Sequence, residues 1–405
     1  MMILYLPEKN MKRNILMMVL FVAEAITSLK GQVSNEPKNL SADILTKSGD
    51  KLVFGGYGQI DFTKPFTNDR AYNSSLDVSR LILSMGYNFT PKTSFFSEIE
   101  FEHVKELFVE QAFLTHSFND FLNFRAGLLL VPMGIINEYH EPTTFNGVLR
   151  PTIDNIIVPT TWREIGFGFT GRFMEQGIKY QIYVLNGFTG YNGANGLING
   201  KNFLRDARQK GARAIMTTPD ISAKIDFFGI AGLKLGLSGY FGKSESTLFN
   251  NLDLTNTASV ARADSTVAGI VMTGIDARYN IGGLALRGEF IMSFVSNTSQ
   301  YNTSTGSDAG RKVRGMYGEI AYNVLRGTNS GYTLTPFFRY ENYDTHFSVD
   351  AVTPKQDKYR ANEFVFGIGW KPAEGAVLKA DIQVAKTAAD ATARKTFNAG
   401  VGVWF

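Results

Sequence analysis

Nine basic side chains stand at alternate positions between apolar neighbours: Arg80, Arg125, Arg172, Lys179, Lys234, Arg278, Arg287, Arg339 and Lys379. Carboxylates hold the equivalent positions at Asp61, Glu98, Glu100, Glu102, Asp276, Glu289, Glu319, Glu341 and Asp381. Fixed charge of this kind acts on passing ions, because a ring of one sign favours solutes of the other. Both signs are present here. Asp276 with Arg278, Arg287 with Glu289 and Arg339 with Glu341 lie two residues apart. That spacing puts each pair on one face of a strand and predicts ion pairs that brace a wall. Glu98, Glu100 and Glu102 form either a solvated stripe or the counterpart of basic residues on a neighbouring strand.

Covalent chemistry finds little support. Gly166-Phe167-Gly168-Phe169-Thr170-Gly171 matches the dinucleotide-binding glycine spacing. That chemistry needs a strand-to-helix turn, whereas this segment reads as a strand. Gly196 to Lys201 is one residue short of a phosphate loop and lacks the following Ser or Thr. His103, His116, His140 and His346 are isolated, with no second histidine at metal-ligand spacing. No catalytic residue, metal or cofactor is expected. A hydrolase would need a serine, a histidine and a polar partner that meet only in space.

The elements that position these charges are strands. Leu81, Leu83, Met85 and Tyr87 repeat every second residue, as do Leu122, Phe124, Ala126 and Leu128, then Ile178, Tyr180, Ile182 and Val184. Leu284, Leu286, Phe290 and Met292, and Leu378, Ala380, Ile382 and Val384, keep the same phase. A period of two is a strand's and not a helix's. The spacing predicts strands over 52 to 62, 76 to 88, 93 to 103, 107 to 117, 121 to 131, 162 to 173, 178 to 186 and 209 to 217. It predicts others over 232 to 242, 266 to 280, 284 to 295, 313 to 325, 331 to 343, 361 to 371, 376 to 387 and 396 to 405, about 16 in all, an even number. The segment Ile221 to Phe228 after Pro219 reads as an extra strand or a structured turn. Short turns at 90 to 92, 118 to 120, 175 to 177, 281 to 283, 327 to 331 and 371 to 375 fall on one side, and longer polar loops on the other.

One face is therefore apolar and the other charged, a pattern that fits a sandwich or a membrane barrel. Long strands, long loops on one side only, and aromatics at the turn end of the apolar face (Tyr87, Phe173, Tyr279, Tyr322, Trp370, Phe405) favour the barrel. The fold class expected is all-β: a transmembrane antiparallel β-barrel. The final strand, with Phe397, Ala399, Val401, Val403 and Phe405 in phase, is expected to close it.

Composition and the first residues fit. The 405 residues contain no cysteine, and 41 Lys and Arg stand against 37 Asp and Glu with no basic block. Nucleic acid is not an expected partner. Met11, Lys12 and Arg13 precede nine apolar residues, Ile15 to Ala23, too few to span a bilayer. Residues 1–31 read as a signal peptide whose true start is Met11, 32–50 as a periplasmic linker, and 51–405 as the barrel. Both termini then lie on the periplasmic side of an outer membrane, and the longer loops face outward.

The longest irregular segment, Pro132 to Thr161, separates the fifth and sixth expected strands. A loop of that length in a compact domain usually has a function. A barrel of about 16 strands leaves an aqueous lumen, which this loop would narrow with Glu138, Tyr139, His140, Glu141, Arg150, Asp154 and the neighbouring Trp162.

The chain also resembles a known family, the phosphate-selective porins O and P. The resemblance rests on Phe54-Gly55-Gly56-Tyr57, on Leu122-Asn123-Phe124-Arg125-Ala126-Gly127 running into Val131-Pro132-Met133-Gly134, and on Trp162-Arg163-Glu164-Ile165-Gly166-Phe167 after the long loop. It implies a homotrimeric channel of sixteen strands, constricted by the third loop and lined by an anion path of arginines and lysines. In this chain the third loop has no lysine and carries Glu138, Glu141 and Asp154 against Arg150. The expected partners are outer-membrane lipid and small hydrophilic solutes, anions among them. The alternatives are an adhesin or structural barrel using loops such as 187–206 and 243–265, which read as solvated, and an energised transporter, for which the chain is too short.

Overall fold

The structure, a computed structural model, describes residues 50–66 and 71–405. The expected signal peptide and all of the linker except Asp50 lie outside the described residues. Sixteen antiparallel strands close into one barrel. In chain order they are β1 Leu52–Phe66, β2 Ser75–Thr90, β3 Thr93–Glu102, β4 Glu106–Asn119, β5 Leu122–Leu130, β6 Arg163–Phe173, β7 Ile178–Leu185 and β8 Asp220–Ile230. They continue as β9 Leu233–Lys243, β10 Gly269–Ile281, β11 Leu284–Ser296, β12 Lys312–Tyr322, β13 Thr333–Ser348, β14 Arg360–Ala373, β15 Ala376–Thr387 and β16 Arg394–Trp404. The last strand pairs with the first, Tyr57 opposite Trp404 and Phe66 opposite Lys395. Phe405 completes the seam, exchanging backbone hydrogen bonds of 2.9 and 3.0 Å with Gly56. Among the described residues the barrel has no free edge.

One strand differs from the sequence reading. Residues 209–217 form no strand; the eighth strand is Asp220–Ile230. There Asp220, Ser222, Lys224 and Asp226 point inward and are buried, while Ile221 and Ile225 are exposed. The alternation that defines a strand begins only after Pro219. Gln209 instead folds its own segment, exchanging hydrogen bonds of 2.6 and 2.8 Å with the backbone of Ile215.

The outer surface is apolar along the whole wall. Leu83, Phe167, Ile182, Ile275, Phe366 and Leu378 are all exposed, a continuous band that a protein in water would bury. Tyr87, Phe173, Tyr279, Tyr322, Trp370 and Phe405 all occupy the outward phase at the short-turn end. Among the described residues no helix is long and apolar enough to cross a membrane.

The interior is partly filled. Inward residues of β9 to β12 near the loop end (Tyr240, Met272, Ile291, Val313) join Val131, Ile157, Val158 and Trp162 in one buried cluster. The 186–219 loop adds Phe188, Ile198, Phe203 and Leu204, all 0% exposed. The helix Thr298–Thr305 adds Tyr301, whose hydroxyl accepts from Ile198 N at 3.0 Å and donates to Gly190 O at 2.5 Å. The expectation that 187–206 is an ordinary solvated loop is therefore corrected. Its few large apolar residues pack into the lumen, while its Asn and Gly residues make the turns between them.

Candidate functional site

The loop between β5 and β6 lies inside the barrel. It leaves the wall through a clamp: Asn137 Nδ2 donates to Val131 O at 2.7 Å and Trp162 O at 2.9 Å, and Trp162 N donates to Asn137 Oδ1 at 2.7 Å. Two glycines let the chain make this passage. Gly127 has φ +139°, and a Cβ there would sit 2.2 Å from Ala112 O. Gly134 has φ +67°, and its Cβ would meet Glu289 Oε1 at 2.5 Å. At Gly127 any side chain would run into backbone, and at Gly134 the left-handed φ disfavours every other residue.

Beyond the clamp the loop crosses to the far wall, and wall charges serve its backbone. Ile135 N donates to Glu289 Oε2 at 2.8 Å, Val148 N to Asp381 Oδ2 at 2.7 Å and Ile153 N to Glu341 Oε2 at 3.2 Å. Lys379 Nζ donates to Phe145 O at 2.6 Å and Gly147 O at 2.9 Å, and Arg287 Nη2 to Thr144 O at 3.1 Å. Lys224 Nζ donates to Gly134 O. A loop without secondary structure can be buried only if its polar backbone is paired, and the wall supplies the partners.

This redistributes the sequence-derived residues. Lys234, Arg278, Arg339 and Lys379 face the lumen but are buried, and Arg287 is engaged with the loop, so the five brace the loop and wall and do not line an open path. Lys234 Nζ reaches Tyr139 OH at 2.9 Å, Arg278 stacks on Tyr139, and Arg339 bridges Glu341 at 2.8 Å and Glu319 at 3.4 Å. Of the three expected pairs within a strand, Asp276–Arg278 at 3.8 Å and Arg339–Glu341 form. Arg287 instead takes Glu319 at 3.2 Å, because Glu289 is committed to the loop. Glu100 of the acidic stripe pairs with Arg80 at 3.5 Å.

Arg125, Arg172 and Lys179 are only half-buried. With Thr93, Thr115 and the loop's Glu138 they line a cavity of about 490 Å³ at the short-turn end, bounded by β2 to β7. Arg125 lies over the Phe113 ring, 5.0 Å from its centroid.

At the loop end a second basic group gathers that the strand pattern does not mark: Arg163, Arg205, Arg208 and Lys210. Arg163 and Lys210 flank the Phe108 ring at 5.8 and 5.1 Å. Arg205 donates to Thr160 O at 2.8 Å and Arg208 to Pro159 O at 2.9 Å, tying the 186–219 loop to the inward loop. Burial, then mutual repulsion with Arg205 and Arg163, depresses the pKa of Arg208; burial, then Arg208, does the same for Lys210. Glu102 and Glu164 are the carboxylates that offset them. Such a cluster gains from a counter-anion.

Between the two groups lie Arg80, Arg150, Glu98, Glu100, Glu110 and the loop's His140 and Glu141. Arg150 Nη2 donates to His140 O at 2.9 Å. Asp154 is fully buried, and burial, then Glu289 and Glu341, pushes its pKa well up.

The chain is 33% identical over 344 residues to an uncharacterized protein of Aquifex aeolicus (strain VF5), covering 82% of this chain and 74% of that one. The two belong to one family. No family model matches the chain. Solved structures place the family's fold. The anion-selective porin from Comamonas acidovorans superposes with a TM-score of 0.55 at 11% identity, covering 87% of this chain and 99% of that one. OprB of Pseudomonas putida gives 0.56 at 8%, over 87% and 94%. The trimer form of OmpT, an outer membrane protein of Vibrio cholerae, gives 0.52 at 10%, over 88% and 100%. The chain thus shares with these proteins the fold of a closed sixteen-strand antiparallel barrel.

Glu138 provides a test of the loop's docking. Burial opposes its charge, but Lys224 at 3.3 Å, then Lys179, together with the Gln181 amide at 2.5 Å, hold its pKa down to about 2 from the ordinary 4.5. A depressed carboxylate stabilises fully above its unfolded pKa and loses that contribution as pH falls through the folded one. Fluorescence of the buried Trp162 should therefore report loop release between about pH 4 and pH 2. Glu138→Gln should remove most of that step and cost about 1–3 kcal/mol at neutral pH. An unchanged acid profile would mean that Glu138 does not hold the loop.

Proposed function

We propose that this protein is an outer-membrane porin, a water-filled channel through which small hydrophilic solutes diffuse, anions preferentially and phosphate-like oxyanions among them. The single observation that carries the reading is the inward loop. It divides the lumen of a sixteen-strand barrel and leaves basic side chains on both sides of the remaining sector, Arg163, Arg205, Arg208 and Lys210 at one end and Arg125, Arg172 and Lys179 at the other. The Arg125 to Gly134 passage and the Trp162 to Phe167 motif support a place beside the phosphate-selective porins O and P. Wall acids such as Glu98 and Glu100 limit the anion preference. The apolar outer band with its aromatics at the turn end supports insertion in lipid, and the porin barrel supports assembly as a homotrimer. The short turns and both ends of the barrel then lie in the periplasm.

The function is tested by reconstitution in liposomes. Small sugars and inorganic phosphate should enter at rates that fall steeply with solute size; liposomes that stay tight would defeat the channel reading. Orientation is tested on cells. A cysteine at Asn195 or Ser299 should react with an impermeant maleimide on intact cells, and one at Gly283 or Glu374 only after the outer membrane is breached. The reverse pattern would invert the topology.

A further inference from the structure

Glu110 is the odd residue of its strand. Between β3 and β4, Glu98 pairs with Gln111 and Ile99 with Val109, so Glu110 is the extra residue of a β-bulge. Bulges re-aim side chains, and this one turns Glu110 inward beside Glu98, where it is 0% exposed. The inward loop delivers His140 to the same point, its Nε2 3.3 Å from Glu110 Oε1. His140 Nδ1 lies 3.1 Å from Asn137 O, an atom that can only accept, so Nδ1 carries a proton and Nε2 is the nitrogen that a metal ion would take. Nε2 and Glu110 Oε1 are both buried, and neither has a hydrogen-bond partner beyond the other. The two atoms can meet as imidazolium on carboxylate or, with the ring neutral, across a cation held between them. The surrounding charge favours added positive charge at this point: Glu98, Glu100, Glu110 and Glu141 stand against Arg80, Arg150 and Arg163.

We propose that Glu98, Glu110 and His140 form a binding site for a divalent transition-metal ion of the zinc type, which fastens the inward loop to the β3–β4 wall. Ligand atoms of the three side chains lie within 4.8 Å of one another. Tetrahedral zinc, with bonds of about 2.0–2.2 Å, brings its ligands to roughly 3.3–3.5 Å, so the Glu110–His140 pair is already spaced for the ion and Glu98 closes on it. Two carboxylates and one imidazole leave the fourth position to water. Supporting hydrogen bonds are in place: Asn137 O orients His140, while Ser84 Oγ at 3.2 Å and Gln111 Nε2 at 2.5 Å hold Glu98, and Tyr57 OH at 3.3 Å holds Glu110. The sequence pattern hides this site, since the histidine is isolated along the chain and Glu110 is in the inward phase only through the bulge.

The test uses the full-length folded protein in detergent, stripped with a chelator, and zinc alone as probe. Calorimetric titration should give one saturable equivalent per chain, and Co²⁺ in its place should give the visible bands of a tetrahedral nitrogen and oxygen site. Glu98→Gln and His140→Gln, which keep side-chain size and amide hydrogen bonding, should each weaken zinc at least tenfold and abolish the zinc-dependent rise in thermal stability. Absence of saturable binding to the wild-type protein, or equal affinity in the variants, would overturn the site and leave an imidazolium–carboxylate pair in its place. Neither readout involves transport, so the metal site and the channel reading can fail separately.

Discussion

Replacing residues 142–156 by a short Gly-Ser linker should raise single-channel conductance several-fold. The segment lies across the lumen and is held by Asp381, Lys379, Glu341 and Glu363, the last accepting from Thr152 Oγ1 at 2.7 Å. Its removal returns those side chains to water, where they are solvated at little cost, and leaves the ladder between strands intact. The wall stands on its own pairing, so the barrel should still fold and assemble. The Asn137 clamp and the Glu98–Glu110–His140 group are spared. An unchanged conductance in planar bilayers would mean that the current does not pass the loop, and the narrowest point would then lie in the 186–219 plug.

Arg125→Glu combined with Lys210→Glu should carry the reversal potential from the anion side to the cation side. Each exchange puts a negative charge where a positive one stood, one at either end of the path, and neither side chain holds the loop. Both are partly exposed, so they act on ions through a screened field. The shift should be large near 0.1 M salt, where the screening length is about 10 Å, and small near 1 M, where it is about 3 Å. A shift of equal size at both concentrations would point to a rearranged lumen. Arg339→Glu is the contrasting variant. Its guanidinium is buried between Glu319 and Glu341, so reversal leaves three carboxylates together, destabilises the wall by about 3–5 kcal/mol and reports on folding more than on selectivity.

The barrel was legible because an apolar outer face and a charged inner one impose a period of two on nearly every strand, from Leu81 with Arg80 to Leu378 with Lys379. Legibility failed where that contrast fades. Asp220 to Asp226 follows Pro219 and reads equally as a strand or a turn until Lys224 is seen to reach Gly134 and Glu138. Tyr240, Met272 and Ile291 are apolar yet face inward, because the lumen at that height is a packed core and not water. The candidate site was legible in part for the same reason. The strand phase marked Arg125, Arg172 and Lys179, which stay half-exposed, and marked Lys234, Arg339 and Lys379 equally, which are buried. Which of them the loop would cover depends on contacts between residues up to 234 positions apart, such as Lys379 with Phe145. Arg205, Arg208 and Lys210 sit in a loop with no period at all, and only its return to Pro159 and Thr160 brings them to the path.

The central claim is a channel whose open sector favours anions, and the most direct measurement is the zero-current potential of the reconstituted wild-type protein across a potassium chloride gradient at low salt. The potential should be displaced toward the chloride equilibrium value and shrink as both solutions are made more concentrated. A potential displaced toward the potassium equilibrium value would contradict it, because the wall carboxylates and not the basic groups at the two ends would then govern passage.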